Sequence, residues 1–270
     1  MQKNDDYILT AENYYSQEAN LRYMSVHQYL DFVGHMGVEG CEKRAMASLE
    51  GKYKKEKTEA MMVGSYVDSY FEGTLIEFER ENPEIFTNQG DLKAPYRRAT
   101  KMINRARKDK KFMMYMSGEK QVIMTGYLFG CDWKIKMDSY LPGEAIVDLK
   151  TATDLHKAWR VKDYGYVSVP EYWGYTIQMA VYQKIVEINT GKKLPCILAF
   201  ITKEESPELK LCYIDQVTLD HSLNEVEMNM PSVLMVKNGE AEPIPCGKCD
   251  YCKATEPIDK VINIADLIEV

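Results

Sequence analysis

Between residues 120 and 150 the hydrophobic period of the chain drops to two, which commits this stretch to paired strands. Trp133, Ile135 and Met137 alternate with Lys134, Lys136 and Asp138; then Ala145, Val147 and Leu149 alternate with Ile146, Asp148 and Lys150. Successive strand side chains point to opposite faces, so Asp148 and Lys150 project together while Leu149 faces the core. Pro142-Gly143 supplies the turn between the two runs. A turn there sets Asp138 on the neighbouring strand almost opposite Asp148, gathering two carboxylates and an ammonium into one patch.

Helical patterns surround these strands. The spacing predicts two helical pieces over 25–50 with Ser25 as a cap, a helix over 58–71 in which Gly64 marks close approach by another backbone, and a longer helix over 95–116. Helical spacing returns over 171–189, strands follow over 196–202 and 209–217, and a helix over 220–237 precedes a proline-punctuated cysteine loop. This order reads as an α/β fold, a mixed β-sheet flanked by helices with a C-terminal Cys-rich metal clasp. We expect a single domain over 1–255, with an N-terminal helical part to 116, a sheet core over 117–217, a C-terminal helix and cysteine cluster over 218–255, and a tail over 256–270.

The 270 residues suffice for one substantial core, and 45% hydrophobic and 28% charged residues match an ordinary soluble globular protein. No apolar run approaches the ~20 residues of a membrane span. Asp5, Asp6 and Glu12 break the order of a secretion signal, which favours the cytoplasm. A net charge of −7 excludes a protein that coats nucleic acid through a uniformly basic surface, yet it permits a local basic path beside an acidic, metal-loaded pit.

Two carboxylates so close repel unless a cation sits between them, and a hard ion with oxygen ligands, Mg2+ or Mn2+, is the natural occupant. Such an ion can polarise a phosphodiester and orient a water molecule, while Lys150 lowers the pKa of that water or pairs with the phosphate. Cys246, Cys249 and Cys252, with two consecutive x2 spacings, let three thiolates converge on one metal and leave a fourth ligand to come from elsewhere. Cys131, Cys196 and Cys212 read as buried small hydrophobes, and the four histidines as scattered. Between Lys93 and Lys111 lie nine basic residues and one acid; Arg97, Arg98, Lys101, Arg105 and Lys108 form a face suited to a phosphate backbone. Lys157 and Arg160 flank Trp159, an aromatic placed to stack on an unpaired base.

With Gly64-x3-Asp68-x3-Glu72, Asp138, Asp148-x-Lys150 and Gln178-x3-Tyr182 in this order, the sequence resembles the PD-(D/E)xK nuclease superfamily. Within it, the chain resembles the phage and prophage RecE-like (exonuclease VIII-like) exonucleases, which are related to RecB-type nuclease domains. The resemblance implies a restriction-endonuclease-like fold, catalytic roles for Asp138, Asp148, Lys150 and Glu72, and metal ligation by Asp68, Asp138, Asp148 and the Leu149 main-chain carbonyl. Asp68 stands where the family usually has His, so the ligand set departs there. Gln178 and Tyr182 are implied to position substrate or buttress the active-site lysine. Cys41 resembles the lone N-terminal cysteine that completes a [4Fe–4S] cluster in RecB-type members; the shorter spacing of the last three cysteines leaves Zn2+ open.

The implied activity is an exodeoxyribonuclease acting on double-stranded DNA ends in phage-type recombination, in a bacterial cell, beside a single-strand annealing recombinase and as a ring-shaped homo-oligomer. The alternatives are a RecB-type endonuclease or helicase-associated nuclease, and a catalytically silent DNA-binding scaffold. The chain lacks the phosphate-binding Gly-x4-Gly-Lys-[Ser/Thr] motif of a motor.

Overall fold

The computed structural model describes residues 7–162, 164–258 and 261–267; Asp5 and Asp6, and part of the expected tail, lie outside that description. The chain begins with helices α1 (Gln17–Arg22) and α2 (Val26–Val33), a two-stranded ribbon β1 (Gly34–His35) and β2 (Val38–Glu39), and helices α3 (Glu42–Leu49), α4 (Glu59–Glu72) and α5 (Leu75–Glu81). Helices α6 (Ala94–Arg107) and α7 (Lys110–Tyr115) lead into strands β3 (Val122–Leu128), β4 (Cys131–Met137), β5 (Ser139–Leu141) and β6 (Ala145–Ala152). A short hairpin of β7 (Trp159–Val161) and β8 (Gly165–Val167) is followed by α8 (Val169–Tyr172), α9 (Tyr175–Thr190), β9 (Cys196–Thr202), β10 (Leu209–Tyr213), α10 (Gln216–Lys237) and α11 (Asp250–Thr255).

The central sheet has the order β10-β9-β6-β5 and is mixed: β6 runs parallel to β9, and the other pairs are antiparallel. The parallel β6–β9 pair requires a crossover, which α9 provides. Strands β6 and β9 are buried on both faces, which explains why 145–149 reads as a nearly continuous apolar run. On one face Ile146, Leu198 and Phe200 join Met179, Val181 and Ile185 of α9. On the other, Val147, Leu149, Ala199 and Ile201 join Val63 and Val67 of α4 and Ala99 and Met102 of α6. The result is a three-layer α/β fold with helices on both sides of the sheet.

The expected hairpin across Pro142-Gly143 forms only in part. Residues 139–141 pair with 145–147, whereas 131–137 pair with β3 instead. The β3–β4 register extended past its end reaches the Glu119–Tyr140 bridge, so one long hairpin is interrupted opposite Asp138. There Gln121 takes a positive φ of 51°, uncommon for a side chain of this kind.

Local chemistry accounts for the other differences. The helix expected over 95–116 is broken in two because Asp109 caps α7, its carboxylate accepting from the Phe112 N–H at 3.0 Å. The helix expected over 171–189 starts only at Tyr175, after Gly174 takes a left-handed φ of 70°. Strand β10 stops at Tyr213 because Asp215 caps α10, which runs from Gln216 through Pro231. Gly64 approaches the Thr151 side chain rather than a backbone. Cys196 is fully buried as expected, but Cys131 and Cys212 are only half-buried.

Candidate active site and thiol clasp

A cavity of about 460 Å³ opens where α2, α3, α4 and α9 meet β4 and β6, and its lining includes Asp68, Glu72, Asp138, Asp148, Lys150, Gln178 and Tyr182. Every side chain that the sequence assigns to catalysis therefore faces one space. Asp138 sits at the bend between β4 and β5, and continuing the β5–β6 register places it opposite Asp148. Its Oδ2 accepts from the Leu149 N–H at 2.9 Å and its Oδ1 from the Gln121 amide at 3.4 Å. The break opposite Gln121 thus turns Asp138 toward β6.

Asp148 is 2% exposed. Its Oδ1 accepts from the Gln178 amide at 2.9 Å, and its Oδ2 lies against the Lys150 ammonium as an ion pair without the angles of a formal hydrogen bond. Lys150 also lies over the Tyr175 ring, 4.7 Å from its centroid. Burial works against the Lys150 charge, but Asp148, Tyr175 and Asp138 outweigh it and hold its pKa above the ordinary lysine value. Lys150 is therefore a fixed cation at neutral pH, unsuited to accept a proton.

Burial, then the adjacent Asp148, push Asp138 up to about 7, against the opposing pull of Lys150 and the Leu149 N–H. Burial and Asp138 raise Asp68 well above its usual range. One ammonium does not neutralise this group, so its carboxylates resist ionising together until a further cation arrives. The donors are all oxygens on separate elements, a set that fits a hard divalent ion.

Of the two roles expected for Gln178 and Tyr182, the structure corrects direct support of the lysine: Gln178 holds Asp148, and the Tyr182 hydroxyl donates to the Lys136 carbonyl at 3.1 Å, bracing β4. Four contributors went unrecognised in the sequence. His27 and Asp31 on α2 line the cavity because the Met24 backbone bridges β4, accepting from Lys134 and donating to Asp132. His27 stays accessible to solvent, yet desolvation and then Lys150 lower its pKa. Lys134 and Lys136 also line the cavity, and Lys136 lies over the rings of Tyr14 and Tyr15. The signal was present: Lys134, Lys136 and Asp138 share one strand face.

The basic residues of α6 do not line this cavity. Arg97, Arg98, Lys101, Arg105 and Lys108 are exposed on its outer face, where Lys101 pairs with Glu205, Arg105 lies 3.8 Å from Asp109, and Arg97 donates to the Leu92 carbonyl. Arg160 lines a second cavity beside His35 and Tyr172. Trp159 is already engaged, stacked on Tyr172 at 4.2 Å with the Lys157 ammonium 3.9 Å over its ring, so it is not the open stacking platform expected.

Cys41, Cys246, Cys249 and Cys252 converge, their sulfurs all within 4.8 Å of one another, and none of them lines the catalytic cavity. Cys41 caps α3 and Cys249 caps α11, each sulfur accepting a backbone N–H. This set can hold a metal.

The family model described as "PDDEXK-like domain of unknown function (DUF3799)" matches residues 25–255. Among solved structures, the crystal structure of a "putative exonuclease" from Eubacterium rectale matches with a TM-score of 0.94 and 53% identity, over 97% of this chain and 98% of that one. The structure of SSO0001 matches with a TM-score of 0.28 and 14% identity, over 68% of this chain and 81% of that one, and carries no argument about the fold. No curated protein matches the chain.

Proposed function

Because the chain belongs to the family of PDDEXK-like domains, we propose that it is a metal-dependent exodeoxyribonuclease that hydrolyses phosphodiester bonds at the ends of linear double-stranded DNA. The observation that carries this reading is the meeting of Asp68, Asp138, Asp148 and Lys150 in one cavity from three separate parts of the chain. The Eubacterium rectale relative supports the exonuclease class through its own description.

In this reading the carboxylates of Asp68, Asp138 and Asp148, with the Leu149 carbonyl, would hold Mg2+ or Mn2+, which would supply Lewis-acid polarisation of the scissile phosphate and of a water molecule. Lys150 keeps its proton and presents a positive charge to the non-bridging phosphate oxygens, where negative charge grows during attack. Gln178 fixes the orientation of Asp148, and Gln121 with the Leu149 N–H fixes Asp138. Glu72, one helical turn from Asp68, is placed to receive the proton released by the attacking water. Lys136 attracts the phosphates entering the cavity, and the exposed basic face of α6, with Lys157 and Arg160, serves DNA farther from the reaction.

Phage-type recombination beside a single-strand annealing recombinase, assembly as a ring and a cytoplasmic setting complete the proposal. Among the described residues no helix is long and apolar enough to cross a membrane.

The test compares linear with nicked circular duplex, with Mg2+ and with chelator. Metal-dependent nucleotide release from linear DNA alone is the expected result. Cutting of circles selects a RecB-type endonuclease, and binding without release selects a silent scaffold.

A further inference from the structure

The four-thiolate clasp distinguishes between the metals it can take, because a single ion and a cluster demand different separations of the sulfurs. A lone tetrahedral zinc with Zn–S bonds of ~2.3 Å sets its four sulfurs ~3.8 Å apart. In a [4Fe–4S] cube the thiolates point outward from alternate corners, which drives them to roughly 6 Å or more. Here Cys41 Sγ lies 3.5 Å from Cys252 Sγ, Cys246 Sγ lies 4.0 Å from Cys252 Sγ, and no pair exceeds 4.8 Å. A cube does not fit among these sulfurs without prising the clasp open. Nor are they disulfide-bonded: all four are free, and an S–S bond is ~2.05 Å long.

We propose that Cys41, Cys246, Cys249 and Cys252 bind one tetrahedral zinc ion in place of an iron–sulfur cluster, and that this zinc fixes a wall of the catalytic cavity. The surroundings support a single small ion. The Lys248 and Cys249 N–H groups donate to Cys246 Sγ at 3.4 and 3.3 Å, Cys252 N–H donates to Cys249 Sγ at 3.5 Å, and Arg44 N–H donates to Cys41 Sγ at 3.4 Å. These backbone donors spread the negative charge that four thiolates leave around a divalent ion. The turn that aims the first two is Cys246-Gly247-Lys248-Cys249, in which Gly247 has a φ of 73°, a conformation costly for other residues.

The link to the cavity is α3. Cys41 begins that helix, and Ala45, Ser48 and Leu49 farther along it line the cavity. Opposite, the segment holding the other three cysteines is joined to α3 by the Ile244 N–H donating to Glu42, the Lys43 N–H donating to the Ile244 carbonyl, and a Lys43–Glu256 ion pair. Zinc closes this junction at its most buried point, where Cys41 is 2% and Cys252 0% exposed.

The inference stands apart from the nuclease reading, since its measurement is metal content and spectrum rather than DNA cleavage. Full-length protein purified without oxygen should be colourless and contain one zinc per chain with no acid-labile sulfide. Replacement by Co2+ should produce the strong red-region absorption of tetrahedral cobalt thiolate, and removal of the metal should lower Tm by roughly 10 °C. Cys41 is buried at the start of α3, so Cys41→Ser tests folding as well as metal; C246H provides a second arm, because a three-thiolate, one-histidine set still takes zinc, so one zinc per chain should remain. About four irons with matching sulfide and a brown colour, metal-free protein, or loss of all zinc in C246H would each overturn the proposal.

Discussion

The Leu149 N–H donates to Asp138 Oδ2 at 2.9 Å, so the strand carrying Asp148 and Lys150 also fixes the carboxylate that faces it. The site is thereby set by backbone as much as by side chains. A substitution that leaves β6 in place should preserve the geometry while removing the chemistry. Asp148→Asn should abolish hydrolysis yet leave the circular dichroism spectrum unchanged. Wild-type turnover by this variant would eliminate the proposed role of Asp148.

Gln178 acts through Asp148 as a positioning residue. Gln178→Leu should cut metal affinity or activity by about 10–100-fold, with a corresponding rise in the Mg2+ concentration needed for half-maximal rate. An unchanged Mg2+ dependence would show that the amide orients nothing.

Lys150 is expected to act through charge alone. Lys150→Met should slow cleavage by about 10²–10³-fold and, by leaving Asp148 buried without its partner, destabilise the fold by ~3 kcal/mol near neutral pH. Denaturant titrations of the variant beside the wild type measure the second effect. A rate that rises with pH through a lysine titration would instead make Lys150 a base.

The raised pKa of Asp138 links metal binding to pH. Its unfolded carboxyl titrates near 3.8 and the folded one near 7, so between these values the metal-free fold holds an extra proton and loses stability as pH rises. Divalent metal must displace that proton. Apparent affinity for Mg2+ or Mn2+ should therefore weaken by up to about tenfold per unit as pH falls below the folded value. Calorimetry in buffers of different ionisation enthalpy reads both the affinity and the proton released; an affinity independent of pH across this range rules the linkage out.

The lysines inside the cavity and those on α6 should differ in their effect on DNA. Lys136→Ala should weaken binding measured with chelator present and reduce the salt slope by about one. Lys101→Ala, which frees Glu205 as well, should change both less. The reverse ranking would move the DNA path onto α6.

Much of the centre was legible because a strand writes its faces in alternate letters: Asp138, Asp148 and Lys150 could be placed from spacing alone, and three of the four thiols from their x2 intervals, whereas Cys41 was named only through the family resemblance. What escaped depended on contacts between distant segments. Met24 bridges β4 and carries His27 and Asp31 into the cavity, yet nothing in the sequence around residue 24 announces that bridge. Lys134 reads as the solvent side of an amphipathic strand but is 2% exposed, because the Tyr14 carbonyl and Asn20 accept from its ammonium. The break between α6 and α7 turned on a single cap, Asp109, hidden within a strong apolar stripe.

The sulfurs of Cys41 and Cys252 meet across a sequence separation of 211 residues. A nascent chain emerging from the ribosome exposes the first thiol long before the last exists, so Cys41 meets Cys252 only after the far segment has been made. Incomplete translation products carrying Cys41 but not Cys252 therefore lack the anchor for α3, which couples a finished reaction chamber to synthesis having passed that point.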